Sequence, residues 1–178
     1  MGKHVRSISE CCIWRDAILI LVLLGTHELP FPRLIEQVKQ SIDNGVITGR
    51  VVIQSGHTKI ESHEKIDAYK FISFEEIQKL YEEADLIITH GGTGSIISGI
   101  KLGKKVIAVP RLSKYNEHND DHQKEIVEAF ATKGYILKCY EEDSLSDIIK
   151  LSEDFTPKPF ESKRDQMLNV IESFIEKI

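Results

Sequence analysis

The densest chemical content lies in His90, Gly91, Gly92, Thr93, Gly94 and Ser95, inside the run DLIITHGGTGSI at 85–96. Three glycines let backbone come close to a ligand, and Thr93 and Ser95 add hydroxyl donors. An apolar run before the glycines, with Ile96, Ile97 and Ile100 after them, reads as a strand feeding a helix. Free N–H groups and the positive end of a helix dipole make such a junction a phosphate site. It is no P-loop, because the GK[ST] ending is missing. It is no GxGxxG turn either, because Ile97 stands where the third glycine belongs. A plain tight turn between strand and helix is the alternative reading.

Two further segments carry polar groups suited to chemistry. PRLSKYNEHNDDHQ, residues 110–123, is a long polar loop, and such loops in compact domains are usually functional or disordered. Asp120 or Asp121 suits the cap of the next helix, and His122 and Gln123 then project from its start toward the glycine loop. A side-chain amide both donates and accepts, which suits sugar hydroxyls. No DxD motif is present, and no metal is expected; leaving-group charge would fall to backbone donors and the helix dipole. In Gly25-Thr26-His27-Glu28, an imidazole with a carboxylate beside it makes His27 a candidate general base. The alternative is a histidine on the loop surface. His4, His57 and His63 have no partner pattern and read as solvated.

The elements that must position these segments alternate strand and helix. Ile18–Leu24 is an apolar strand, and Phe31, Leu34, Ile35, Val38 and Ile42 give the next helix its apolar face, stopped at Asn44-Gly45. Strands are expected at 50–54, 69–72, 85–89, 105–109 and 135–139. Between them, Ser73 and Glu76 form a capping box before a helix whose inner face holds Phe74, Ile77, Leu80, Tyr81 and Ala84. Helices are also expected at 123–133, 145–151 and 161–178. This alternation predicts an α/β domain: one Rossmann-like, doubly wound parallel sheet covered on both faces. In such a sheet ligands bind beyond the carboxyl ends of the strands, where all three polar segments fall.

With 178 residues and a net charge of −5, the chain has the size of one domain, and its mild acidity argues against a general nucleic-acid binder. The three cysteines, Cys11, Cys12 and Cys139, suggest no disulfide framework and a reducing compartment. The longest apolar run, AILILVLL, is too short for a membrane span. Residues 1–16 read as a leader, disordered or partner-facing with Ile13 and Trp14 as anchors, and 17–178 as the domain.

The stretches LLGTHELPFPRL, ADLIITHGGTGSI, GKKVIAVPR and EHNDDHQ followed by EAFATKG are those of a known family. On them the chain resembles the donor-binding, C-terminal half of MurG-type (family 28) GT-B glycosyltransferases. It is more closely similar to PssE-type bacterial polysaccharide subunits and to the eukaryotic dolichol-pathway catalytic subunit that adds the second GlcNAc. The resemblance implies inverting, metal-free transfer from a UDP-sugar to a lipid-pyrophosphate-linked sugar. It implies Gly91 to Ser95 on the pyrophosphate and His122 and Gln123 on the donor sugar; Gly25, Thr26, His90 and Asp121, in the segments beyond the strand ends, are the other substrate-binding candidates. Many relatives place a glutamate on the ribose three residues after the loop serine; here that position is Ser98, and Glu117 is the substitute candidate.

The GTHE and EHNDDHQ segments favour the polysaccharide branch, which implies UDP-galactose, a β-1,4 linkage and glucose on undecaprenyl pyrophosphate, in exopolysaccharide or capsule synthesis. A single domain supplies one wall of a GT-B cleft. A membrane-anchored acceptor-binding partner of the PssD type is therefore expected, with the chain cytoplasmic and held at the inner membrane face through it. The base would be His27 or a group of that partner. The rivals are a non-catalytic nucleotide-sugar-binding regulatory or scaffold module, and half of a UDP-sugar epimerase.

Overall fold

The computed structural model describes residues 18–161. Within them one parallel sheet holds β1 (Leu19–Leu23), β2 (Arg50–Gln54), β3 (Ile66–Tyr69), β4 (Leu86–His90), β5 (Lys105–Val109) and β6 (Leu137–Lys138). Their spatial order is β3-β2-β1-β4-β5-β6. The helices are α1 (Pro32–Asp43), α2 (Phe74–Glu83), α3 (Thr93–Lys101), α4 (His122–Thr132) and α5 (Leu145–Asp154).

The all-apolar run of β1 is explained by its central place, because alternate side chains enter opposite cores. Ile20 and Val22 join Leu34, Val38 and Ile42 of α1 and Leu145 and Ile149 of α5. Leu21 and Leu23 join Leu80 and Tyr81 of α2, Ile96 and Ile100 of α3, and Val127 of α4. This is the doubly wound α/β domain that the strand–helix alternation predicts. Helix α1 starts on Pro32 and ends before Gly45 at φ 71°, and both halves of the Ser73–Glu76 capping box open α2.

The structure moves some expected elements. The third strand lies at Ile66–Tyr69 rather than 69–72, because Ile66 is the one buried residue of this edge strand, Tyr69 is only partly buried, and the strand pairs on one side alone. Phe74 leaves the inner face of α2 and is 73% exposed, since the first helical position lies at the rim of the stripe centred on Leu80 and Ala84. The sheet pairing of His90 with Val109 makes it the last residue of β4, not the first of a loop. The leader at 1–16, with Ile13 and Trp14, lies outside the described residues. So does the helix expected at 161–178, apart from its first residue.

Helix α3 sits unusually close to the sheet. A Cβ on Gly99 would lie 2.7 Å from Cγ2 of Val106 and 3.1 Å from Cδ1 of Ile87. That close approach fixes the height of the carboxyl-terminal half of α3 above β4 and β5. Gly99→Leu is expected to lower stability by roughly 1–3 kcal/mol through overpacking. The fall should appear as a lower urea midpoint at unchanged slope; an unchanged midpoint would show that α3 can lift freely.

Candidate functional site

In this strand order the chain leaves β1 toward one edge and returns at β4 to build toward the other, so the carboxyl ends of β1 and β4 flank a crevice. The β1 lip carries Gly25, Thr26 and His27, and the β4 side carries His90 and the glycine loop. Gly25 has φ +80°, and a Cβ there would lie 2.8 Å from Cε1 and Nε2 of His90. On the other side a Cβ on Gly92 would lie 2.3 Å from the same Nε2. The His90 ring is therefore wedged between two glycines, and neither position admits a side chain.

Two histidines here present opposite faces of the imidazole. Nδ1 of His90 lies 3.3 Å from the Leu23 carbonyl, which can only accept, so Nδ1 carries the proton and Nε2 offers a lone pair. Burial pushes the His90 pKa down to about 4, with Arg111, His118 and His27 adding positive potential, while the Leu23 carbonyl works the other way. Nδ1 of His27 instead accepts the N–H of Leu29 at 3.2 Å, which leaves the proton of the neutral ring on Nε2. Its ring packs on His118, centroids 4.8 Å apart, and its pKa is lowered by burial and then by His118 and Arg111. No hydrogen bond joins it to Glu28 among the described residues. The reading of His27 as general base does not fit this arrangement: its lone pair is committed to Leu29, and its free nitrogen is a donor.

The glycine loop divides into two parts. The N–H of Gly91 donates to Oε1 of Gln123 at 3.0 Å, and a Cβ on Gly91 would meet Cβ of Gln123 at 2.7 Å. Gly91 and Gly92 thus serve packing. Helix α3 begins after Gly92 with no side-chain cap, and the amides of Thr93, Gly94 and Ser95 find no acceptor among the described residues. Space above Gly94 is open, with no atom within 4 Å of a Cβ placed there. These three amides stand free at the positive end of α3, the part of the loop whose chemistry suits an anion.

Gln123 is 7% exposed, and its Oε1 accepts from Gly91 and, at 3.1 Å, from the N–H of Arg111. Nε2 keeps both protons for a ligand, so the amide acts as a donor and not in both senses. Elsewhere on this loop the structure separates the candidate residues. His122 is 65% exposed, with Nδ1 3.4 Å from Glu125, because adjacent helical residues point about 100° apart and only one can face the glycine loop. Asp120, not Asp121, accepts the first helical N–H, that of His122, at 3.0 Å. Asp121 takes the Ser113 N–H at 2.8 Å, and the Ser113 bonds hold its carboxyl below the usual range. Glu117 is 1% exposed; its oxygens hold Arg33 at 2.8 and 3.0 Å and the Leu112 N–H at 3.0 Å, which leaves no oxygen for a ribose.

The residue missed in the sequence is Arg111. It is 1% exposed, and it donates to the carbonyls of Leu24 and Leu29 at 2.6 Å each and of Glu117 at 2.8 Å, while packing on the Phe31 ring. The only local signal was a charge directly after a strand-closing proline. Among the described residues no cluster of three or more His, Cys, Asp or Glu is placed to hold a metal ion. No helix among them is long and apolar enough to cross a membrane.

The family described as glycosyltransferase family 28 C-terminal domain matches residues 19–178. UDP-N-acetylglucosamine transferase subunit ALG13 of Yarrowia lipolytica is 30% identical over 172 residues, covering 90% of this chain and 84% of that protein. Its Kluyveromyces lactis counterpart is 26% identical, covering 80% and 93%. The solution structure of an ALG13 shares the fold at TM-score 0.55 and 22% identity, over 87% of this chain and 94% of that one. Acinetobacter baumannii MurG does so at TM-score 0.55 and 20% identity, over 77% of this chain but only 40% of its own. The family match and the identity across most of the chain place it among the glycosyltransferase family 28 C-terminal domains.

Proposed function

We propose that this chain is the donor-binding subunit of a two-chain inverting glycosyltransferase that takes a hexose from a UDP-sugar. The carrying observation is the uncapped start of α3: free amides of Thr93, Gly94 and Ser95 under open space at the crevice between β1 and β4. A pyrophosphate would be held there by backbone N–H groups and the positive helix end, which also stabilise charge on the departing diphosphate. Nε2–H of His27 adds a donor from the β1 lip, and Nε2 of Gln123 donates to the sugar.

In the reaction the acceptor oxygen bonds to the anomeric carbon as the bond from that carbon to the diphosphate oxygen breaks. UDP leaves with the electron pair, and the hydroxyl proton passes to a base. With Nδ1 of His27 taken by the Leu29 N–H and His90 a weak base at a pKa of about 4, the base in this scheme comes from the partner chain. The polysaccharide-branch resemblance supports galactose and an undecaprenyl-pyrophosphate-linked glucose acceptor; the relatives' names support N-acetylglucosamine. No metal is part of this scheme.

The direct test is calorimetric UDP binding to the chain, followed by transfer assays with its partner, lipid-linked glucose and UDP-galactose or UDP-N-acetylglucosamine. Binding and inverting transfer from one donor are expected; no transfer from any UDP-hexose sinks the proposal. Gly94→Asp separates fold from function. A carboxylate in the first turn of α3 should raise stability by about 0.3–1 kcal/mol through the helix dipole. The same charge should weaken UDP by about tenfold or more through like-charge contact, and unchanged affinity would remove the phosphate from α3. For His27, glutamine can replace an Nε2–H donor but not a base. His27→Gln should keep turnover within about fivefold and His27→Ala lose about tenfold or more; equal, severe losses would restore the base.

A further inference from the structure

Arg111 sends one planar fork into three loops: the end of β1 at Leu24, the lip at Leu29, and the long loop at Glu117. Its own N–H shares Oε1 of Gln123 with Gly91, so one residue links all the segments around the crevice. A peptide plane is rigid, and its N–H points opposite to its carbonyl. Drawing the Leu24 carbonyl onto Nη2 turns the next N–H, that of Gly25, away from Arg111. The Gly25 amide has no acceptor among the described residues.

The network is poorly suited to stability alone. Nε of Arg111 and Nη1 of Arg33 are buried without a hydrogen-bond partner. An apolar side chain of similar volume generally serves a core as well as a buried charge does. What an apolar chain cannot do is hold three carbonyls from three loops in one plane.

We propose that Arg111 is a positioning residue for the donor substrate: its guanidinium orients the Gly25 amide as a ligand donor, and by holding the loop it keeps its own main-chain N–H on the Gln123 carboxamide, without contacting the ligand itself. This rests on the donor-binding reading above. Arg111→Lys keeps the charge but not the fork, so it should raise the Kd for UDP about tenfold or more. The KM for the UDP-sugar should rise in parallel, with kcat at saturation within about threefold of wild type. In amide NMR spectra the Gly25 and Gly91 signals should shift while that of Val52 on β2 stays. Arg111→Ala should lose affinity further and regain it in millimolar methylguanidinium but not methylammonium. Where Arg111→Ala fails to fold, the lysine variant decides.

Unchanged Kd and KM in Arg111→Lys alongside a lowered Tm would overturn the proposal, since a purely structural role reduces the folded fraction and not the affinity of what is folded. A fall in kcat at constant KM would overturn it as well. Wild-type protein that binds neither UDP nor a UDP-sugar would overturn the donor-binding reading and this one together. Wild-type binding that both variants preserve would overturn only the role of Arg111.

Discussion

The imidazole of His90 leaves the end of β4 with one nitrogen tied to the Leu23 carbonyl of β1 and the other between Gly25 and Gly92. Because it is wedged there, the spacing between the β1 lip and the glycine loop is one ring thick. The ring can hold that place only while neutral. A charge on it would face Arg111, His118 and His27 with little water to screen them, and burial already drives its pKa to about 4. Arg111 applies the complementary pull from below by gathering carbonyls of the lip and of the long loop. One neutral ring separates the loops and one buried cation draws them in. The crevice has a single width because both act on Leu23 to Leu29.

The polar groups left over after these internal bonds are nearly all donors. The amides of Thr93, Gly94 and Ser95, Nε2–H of His27 and Nε2 of Gln123 can each give a proton to a hydrogen bond. Several acceptors nearby are spent: Oε1 of Gln123 on two backbone amides, Asp121 on Ser113, Glu117 on Arg33 and Leu112. A surface with that balance binds an electron-rich, multiply charged group and is badly equipped to remove a proton. Under the proposed function, leaving-group stabilisation and base catalysis therefore fall on different chains, and only their assembly completes the reaction.

Local features were readable in the sequence and long-range ones were not. The Ser73–Glu76 capping box, the strand RVVIQ and the apolar face of α1 depend on neighbours a few residues away, and each lies where its pattern puts it. Strand β3 was read three residues too late because an edge strand with one buried residue has almost no period to detect. Side-chain direction was the harder problem. His122 and Gln123 stand side by side in the chain, yet one is in solvent and the other under Gly91, and only the rotation of α4 decides between them. Glu117 and Arg111 look like ordinary loop charges until Arg33, from a helix far back in the sequence, and the Leu24 carbonyl come within reach.

The glycines show most sharply why motif density and ligand binding are different things. HGGTGS invites the reading that every glycine clears space for a phosphate. Yet Gly91 is required by Gln123 and Val127, and Gly92 by His90, whether or not any ligand arrives. Gly94 alone has ordinary helical geometry, open space above it and no neighbour that a side chain would strike. Glycine costs about 1 kcal/mol relative to alanine in a helix interior, so even in the first turn its presence without a packing or backbone reason does nothing for the fold. A ligand that must come within hydrogen-bond distance of the first turn of α3 removes that contradiction, because a side chain at 94 would occupy its place. Within HGGTGS, an anion above the free amides of α3 would thus account for Gly94, the glycine of that run the fold does not need.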